Sequence, residues 1–434
     1  MKFKRLLVVA FVGCALLFAA QSLIAGGSKE ASTSTGAAQS SGPVTITYWQ
    51  YSYASKVDLV GKLIQQFNSE NPGITVQQVN FPYEQYNQKV AASVPAGQGP
   101  EIVNLYYGWL PIYVKSGYIQ PLPSDQFNAD YFKNGYYPFV AQSSLFDGKY
   151  YSLPTAVRSL ALFYNRKLMS DAGLNPDNPP KTLQDLEAYA KKMSKYDAQG
   201  NLTQAGMAMQ PSGQGHVWIR EVLFRQFGAT PYSDDGRKVL YDSPQGVAAL
   251  TWYTDLITKD KVGYPNFATD DVTAFTSQKA AMNIDGSFRI ASLKKVEGLD
   301  WRIAELPTNN GIKSNFASYW TNGIVTGVSG AKLAASVKFL KFLSSPEVQK
   351  AWLTGVGELP ATPSLSAAYE SDPNVSTFLK GLAYAHATKY VDEAGQRDIM
   401  DNAVDAVVQG QMTPAQALHD AAVKEQKLID NFWK

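Results

Sequence analysis

Hydrophobic and polar positions follow two periods along this chain, and the order of the periods predicts its architecture. Val44-Thr-Ile-Thr-Tyr-Trp49 alternates every second residue and is β-branched, which predicts a strand. From Lys56 to Asn68 the apolar residues Leu59, Leu63, Ile64 and Phe67 recur at helical spacing, until Asn71-Pro72-Gly73 stops the helix. Ile74 to Val79 predicts a second strand. Tyr83 to Val94 predicts a helix through Tyr86, Val90 and Val94, and Glu101 to Leu105 a third strand after Gly97-Gln-Gly99-Pro100. Such a β-α-β-α-β series predicts an α/β fold whose largely parallel sheet is covered by helices on both faces.

The alternation returns further on. Leu160 to Asn165 reads as a strand, Leu183 to Ser194 as a helix capped by Thr182, and Ala280 to Ile284 and Ile303 to Leu306 as short strands. Ala331 to Leu343 is amphipathic, with Val337, Leu340 and Leu343 on one face, and another helix starts at Pro346. Gln396 to Phe432 is helical apart from a break near Gly410, after which Thr413 caps a helix beginning at Pro414.

The N-terminus changes the picture. Lys2, Lys4 and Arg5 precede the uncharged run Leu6 to Ala25, the layout of a secretory signal. Small residues at Ala25, Gly26 and Gly27 offer cleavage, so residues 1–27 are expected to be a signal peptide and the protein to be exported to the periplasm or cell envelope. An uncleaved anchor is the alternative, since the run approaches the ~20 residues a spanning helix needs. Cys14, the only cysteine, follows Phe11-Val12-Gly13 in loose likeness to a lipoprotein box. Cleavage there would leave an apolar start to the mature chain, so cleavage near Gly27 is preferred over lipidation of Cys14. No disulfide can form within the chain. Residues 28–43 are nearly all small or polar and read as a flexible tether; the remainder suits about two domains.

Charge excludes one class of partner. The formal net charge is +2, and the first five residues hold three positive charges and no acid, so the chain after Gly27 is close to neutral. No Lys or Arg cluster remains to make a nucleic-acid footprint. Aromatic residues make up 12% of the sequence, with 25 Tyr and 8 Trp, and a surplus beyond core needs would suit stacking on sugar rings. Catalytic signatures are missing: no G-x-S-x-G, H-E-x-x-H, Walker A or dinucleotide fingerprint occurs. The histidines lie far apart, so neither a metal site nor a cofactor is expected. A glycoside hydrolase would need two carboxylates facing one bond ~5–10 Å apart, and the few acids available to a cleft are Asp285, Glu358 and Glu84.

Several segments in order carry a family resemblance. They are Asn71-Pro72-Gly73-Ile74, Gly99-Pro100-Glu101-Ile102-Val103, Tyr151-Ser-Leu-Pro154 with Ala161-Leu-Phe-Tyr164-Asn165-Arg166, and Pro180-Lys-Thr182-Leu-Gln-Asp185-Leu. Lys279-Ala-Ala-Met282 with Asp285-Gly286-Ser287-Phe288, Lys338-Phe-Leu-Lys-Phe-Leu343-Ser-Ser-Pro346-Glu347 and Glu358-Leu359-Pro360 complete the set. Together they resemble the extracellular solute-binding proteins, family 1. The resemblance implies a two-lobed periplasmic-binding-protein fold, each lobe a mostly parallel sheet flanked by helices, with a ligand cleft between. It also implies a monomeric substrate-binding component of an ABC importer, which captures a carbohydrate and delivers it to membrane permease subunits. A glycoside hydrolase, or a binder of another small solute on the same fold, is the alternative. The lobes are expected to be 44–155 with 292–330, and 156–291 with 331–434. Crossings are placed near Leu153 to Arg158, Ala291 to Lys294 and Ser329 to Ala331.

Candidate ligand contacts follow from strand ends and from this resemblance. Gln50, Tyr51 and Tyr53 follow the first strand, and Tyr106, Tyr107 and Trp109 the third, at the carboxyl ends where open α/β sheets bind ligands. The competing reading packs these rings beneath the loops. Arg158 lies at the first expected crossing; its planar fork donates and cannot accept, which leaves room for an acidic or differently hydroxylated sugar, against a structural ion pair. The resemblance adds His216 and Trp218 at the start of a second-lobe helix, Asp285 and Phe288, and Arg397. Tyr319 and Trp320, just before the strand-like Ile324 to Gly327, are candidates for the back wall.

Overall fold

A computed structural model of the chain describes residues 42–434. The signal peptide, Cys14 and nearly all of the tether lie outside the described residues. Strands β1 (Val44–Tyr51), β2 (Ile74–Phe81) and β3 (Ile102–Tyr106) pair in parallel with β1 in the middle, Val44 opposite Ile74 and Tyr48 opposite Ile102. Helices α1 (Ala54–Glu70) and α2 (Tyr83–Ser93) make the crossovers. α1 buries Val60, Leu63, Ile64 and Phe67, the stripe that helical spacing marks in the sequence.

The strand expected from Leu160 begins earlier, at Ser152. β4 (Ser152–Asn165) is 14 residues long and buried throughout except at Arg158. A strand buried on both faces shows no alternation, which hides its first half from a pattern reading. Beyond it lie β5 (Met282–Gly286), β6 (Trp301–Ala304) and β7 (Asn315–Val325). The first half of β4 pairs antiparallel with β7, which in turn pairs antiparallel with β3. Its second half pairs antiparallel with β5 and β6, Leu160 opposite Gly286 and Asn165 opposite Trp301. One continuous strand thus serves both lobes.

Strand pairing and side-chain packing group some segments differently from the expected lobe boundaries. β6, expected in the first lobe, is paired to the far half of β4. α3 (Leu183–Met193) and α4 (Pro244–Thr258) belong to that second lobe, and Thr182 caps α3 through a capping box with Asp185. α5 (Gly330–Leu343), expected in the second lobe, packs on the first: Phe339 meets Tyr48 at 5.8 Å and Phe67 at 4.9 Å between ring centroids. Burying that ring contributes ~1.5–3 kcal/mol. The chain changes lobe later, between Ala361, whose carbonyl accepts from the amide of Tyr137, and Phe378, which packs on Phe163. α6 (Pro346–Val356) precedes this passage, and α7 (Glu393–Val408) and α8 (Pro414–Trp433) follow it, both contacting α4. Likewise Ala291 to Lys294 is mostly helix, and β7 makes the passage expected there.

Candidate functional site

A cleft of about 370 Å³ opens at the carboxyl ends of β1 and β3. Its first wall is aromatic. Tyr51, the last residue of β1, stacks on Trp320 of β7 with ring centroids 3.9 Å apart and planes at 21°. Tyr106 stands opposite Trp320 in the strand register, 5.8 Å away. Tyr83, at the start of α2, meets Tyr51 edge-on at 5.7 Å, and Tyr53 lies 6.5 Å from Tyr51. Tyr53 and Tyr83 are 42% and 38% exposed, so they form the rim, while Tyr51 and Trp320 are buried at its base. Offset and edge-on rings of this kind add to their burial by ~0.5–1.5 kcal/mol a pair.

Beneath the wall the Lys56 ammonium sits 5.1 Å from the Trp320 ring and 5.6 Å from that of Tyr51. It pairs with Glu358 at 2.5 Å, both side chains buried. Burial pulls the Lys56 pKa down to about 8, although Glu358 opposes the shift. Glu358 follows Gly357, which ends α6 with φ 86°, and precedes Leu359, which exchanges backbone hydrogen bonds with Val157 of β4.

The floor comes from the two strands that join the lobes. Arg158 of β4 stands opposite Ser318 of β7, and both line the cleft with Phe316. The guanidinium lies 4.8 Å from the Phe288 ring centroid, and its Nε is buried without a hydrogen-bond acceptor. Among the described residues no carboxylate pairs with it.

The opposite wall is polar and belongs to the second lobe. Ser212, Gly213 and Gln214 lie in a short wide-turn helical segment whose geometry breaks at Gly213, and His216 follows. Burial, then the charges of Arg220 and Arg397, hold the His216 pKa well below its usual value, so the ring is neutral near pH 7. Glu393 and Arg397 project from the first turns of α7 and pair at 3.3 Å. Burial raises the Glu393 pKa against the pull of Arg397. α7 itself is anchored from behind. Arg220 donates to the Gln396 carbonyl, Gln396 donates to Glu425 at 2.6 Å, and Tyr232 and Tyr241 each donate to Glu425 at 2.6 Å.

Of the residues expected at the site, the structure gathers Tyr51, Tyr53, Tyr106, Arg158, His216, Trp320 and Arg397 around the cleft. The others stand behind it. Tyr107 stacks on Tyr319 at 5.0 Å, and the Tyr319 hydroxyl bonds to Ser143, so neither ring faces the opening. Trp109 supports the wall edge-on to Trp320 at 5.6 Å, and Gln50 is buried at the strand end. Trp218 packs on Trp252 and Tyr253 in the second-lobe core. Asp285 is held by Arg289 at 2.6 Å, and Phe288 underlies Arg158. The cleft is also lined by Ser52, Tyr83, Ser212 to Gln214, Val217, Phe316, Ser318 and Glu393, none of them singled out by the sequence pattern. Ser318 is legible from the sequence, because alternate residues of a strand share a face and Ser318 stands two residues from Trp320. Among the described residues no group of three or more His, Cys, Asp or Glu is placed to hold a metal ion.

A two-lobed α/β fold with a cleft over its joining strands is the architecture of a binding protein. Residues 62–377 match the family model of the bacterial extracellular solute-binding proteins, and the chain belongs to that family. It is 25% identical to the sn-glycerol-3-phosphate-binding periplasmic protein UgpB of Escherichia coli (strain K12), over 90% of this chain and 93% of that protein. Among solved structures, it resembles an ABC-transporter solute-binding protein from Thermotoga lettingae bound with α-D-tagatose, with TM-score 0.76 and 23% identity. That likeness covers 89% of this chain and 99% of the other. It resembles equally the substrate-binding protein Lmo0181 of Listeria monocytogenes in complex with cycloalternan, with TM-score 0.77, 23% identity and the same coverage.

Proposed function

We propose that this protein captures a carbohydrate in the interlobe cleft and delivers it, chemically intact, to the permease subunits of an ABC importer. The observation that carries the reading is the facing of an aromatic wall and a polar wall across one cleft. Sugars need both: flat apolar surface for their C–H faces and fixed donors and acceptors for their hydroxyls. Tyr51, Tyr53, Tyr83 and Trp320 supply the first, and Ser318, Gln214 and neutral His216 the second. The relatives' ligands, two carbohydrates and a polyol phosphate, support this class. Family membership and the signal-like N-terminus support an exported protein, which acts as a monomer.

Catalysis is disfavoured by the acids themselves. Glu393 is the one carboxylate lining the cleft among the described residues, and it is engaged by Arg397. Asp285 is engaged by Arg289, so among the described residues no free pair of carboxylates lines the cleft. The test is a thermal-shift screen over neutral and acidic sugars and polyols, followed by calorimetry. A ligand at 100 times its Kd adds ~2.7 kcal/mol of stability. Binding of at least one sugar or polyol is expected; a screen with no shift for any of them removes the proposal.

A further inference from the structure

We infer that the ligand carries one carboxylate, an acidic sugar such as a hexuronate, and that Arg158 is the residue that selects it. The inference rests on the reading of the cleft as a carbohydrate site and specifies its charge. The cations around the cleft fall into two classes. Lys56 is matched by Glu358 at 2.5 Å, Arg397 by Glu393 at 3.3 Å and Arg289 by Asp285 at 2.6 Å. Arg158 alone of these has no carboxylate, and its Nε is shut off from water with no acceptor.

An arginine cannot shed its proton to escape such a position. Holding an unpaired guanidinium half-buried costs stability, and the Phe288 ring beside it offsets only part of that cost. A ligand that brings the missing charge would offset the rest. The geometry favours a planar acceptor, because Phe288 lies 4.8 Å from the guanidinium carbon and occupies a face of the fork. Such a contact orients the group while leaving its N–H donors free. A carboxylate then accepts two parallel hydrogen bonds from the fork. Charge decides between oxyanions: one uncompensated cation is neutralised by a carboxylate at −1, whereas a phosphate ester brings −1.5 to −2 at pH 7. Neutral hydroxyls would leave the charge uncompensated.

Calorimetry with D-glucuronate and D-galacturonate, D-glucose and D-galactose, and glucose 6-phosphate tests this on the wild type and on Arg158→Gln and Arg158→Lys. Melting of the unliganded variants establishes that they fold. The uronates are expected to bind the wild type more tightly than their neutral counterparts, and to weaken as salt rises. Arg158→Gln should weaken uronate binding roughly 10- to 100-fold and neutral-sugar binding much less, removing the preference. Arg158→Lys should retain part of it, since an ammonium keeps the charge without the fork. Equal or tighter binding of neutral sugars, or tighter binding of the phosphate ester, overturns the carboxylate inference and leaves sugar capture standing. Binding of none of the sugars, acidic or neutral, in the wider screen would instead fell the carbohydrate reading itself.

Discussion

Lys56 and Glu358 are 302 positions apart in the chain and 2.5 Å apart in the fold, both buried beneath the stacked pair Tyr51 and Trp320. The pair ties the start of α1 to the segment that leads out of α6, just where Leu359 bonds to β4. Its worth depends on both members being present. Lys56→Met alone strands a buried carboxylate, one oxygen of which already lacks a partner, and is expected to cost 3–5 kcal/mol. The double variant Lys56→Met, Glu358→Leu should recover most of that loss. Urea unfolding of the three proteins measures it; a double variant no more stable than the single would show that the pair does not act as a unit.

The rings divide into those exposed at the cleft rim and those that prop up the wall behind it. Tyr53→Ala and Tyr83→Ala, at the exposed rim, should weaken sugar binding by ~1–2 kcal/mol with little change in melting temperature. Trp109→Ala should do the reverse first, destabilising the fold by ~3–5 kcal/mol, because that ring is buried behind Trp320. Calorimetry paired with thermal melts separates the two effects.

Asp271 gives the protein a pH dependence of definite sign. Burial, helped by Asp285 and opposed by Arg289, raises its pKa from 3.8 to about 6. Between those values the folded state keeps a proton that the unfolded state has released, so this group lowers stability as pH rises from about 4 to 6. Asp271→Asn should flatten that limb and, with allowance for partial exposure, gain on the order of 1–2 kcal/mol at pH 7. Denaturant melts at pH 4.5 and 7 give the comparison.

Much of the first lobe was legible because its elements alternate between periods of two and 3.6, as in β1 through β3. The assignment of later elements to a lobe was less so. The amphipathic stripe of α5 tells which face is buried but not which lobe receives it, and Phe339 settles that only in three dimensions. At the site, adjacent aromatics that share a strand cannot both face the cleft, because strand neighbours point to opposite faces. Trp320 therefore reaches the cleft while Tyr319 is sealed against Tyr107. Tyr106 ends β3 and reaches the cleft, whereas Tyr107 opens the short helical turn that follows and packs inward. Ser212 to Gln214 carry no periodicity at all, so only the fold brings them to the cleft.

The unbroken run of β4 from one lobe into the other fixes how far each contact would travel if the lobes rotate. Displacement in a rotation grows with distance from its axis, and Arg158 sits midway along the strand that joins both bodies, with Ser318 beside it. These two would stay nearly still while Tyr53 and Tyr83 on one side and Gln214 on the other swing through the widest arcs. Capture would then have a built-in sequence: a ligand would meet the stationary fork first, in the open state, and the rim would close over it afterwards. The electrostatic step would govern the rate of arrival and the aromatic step the lifetime of the complex.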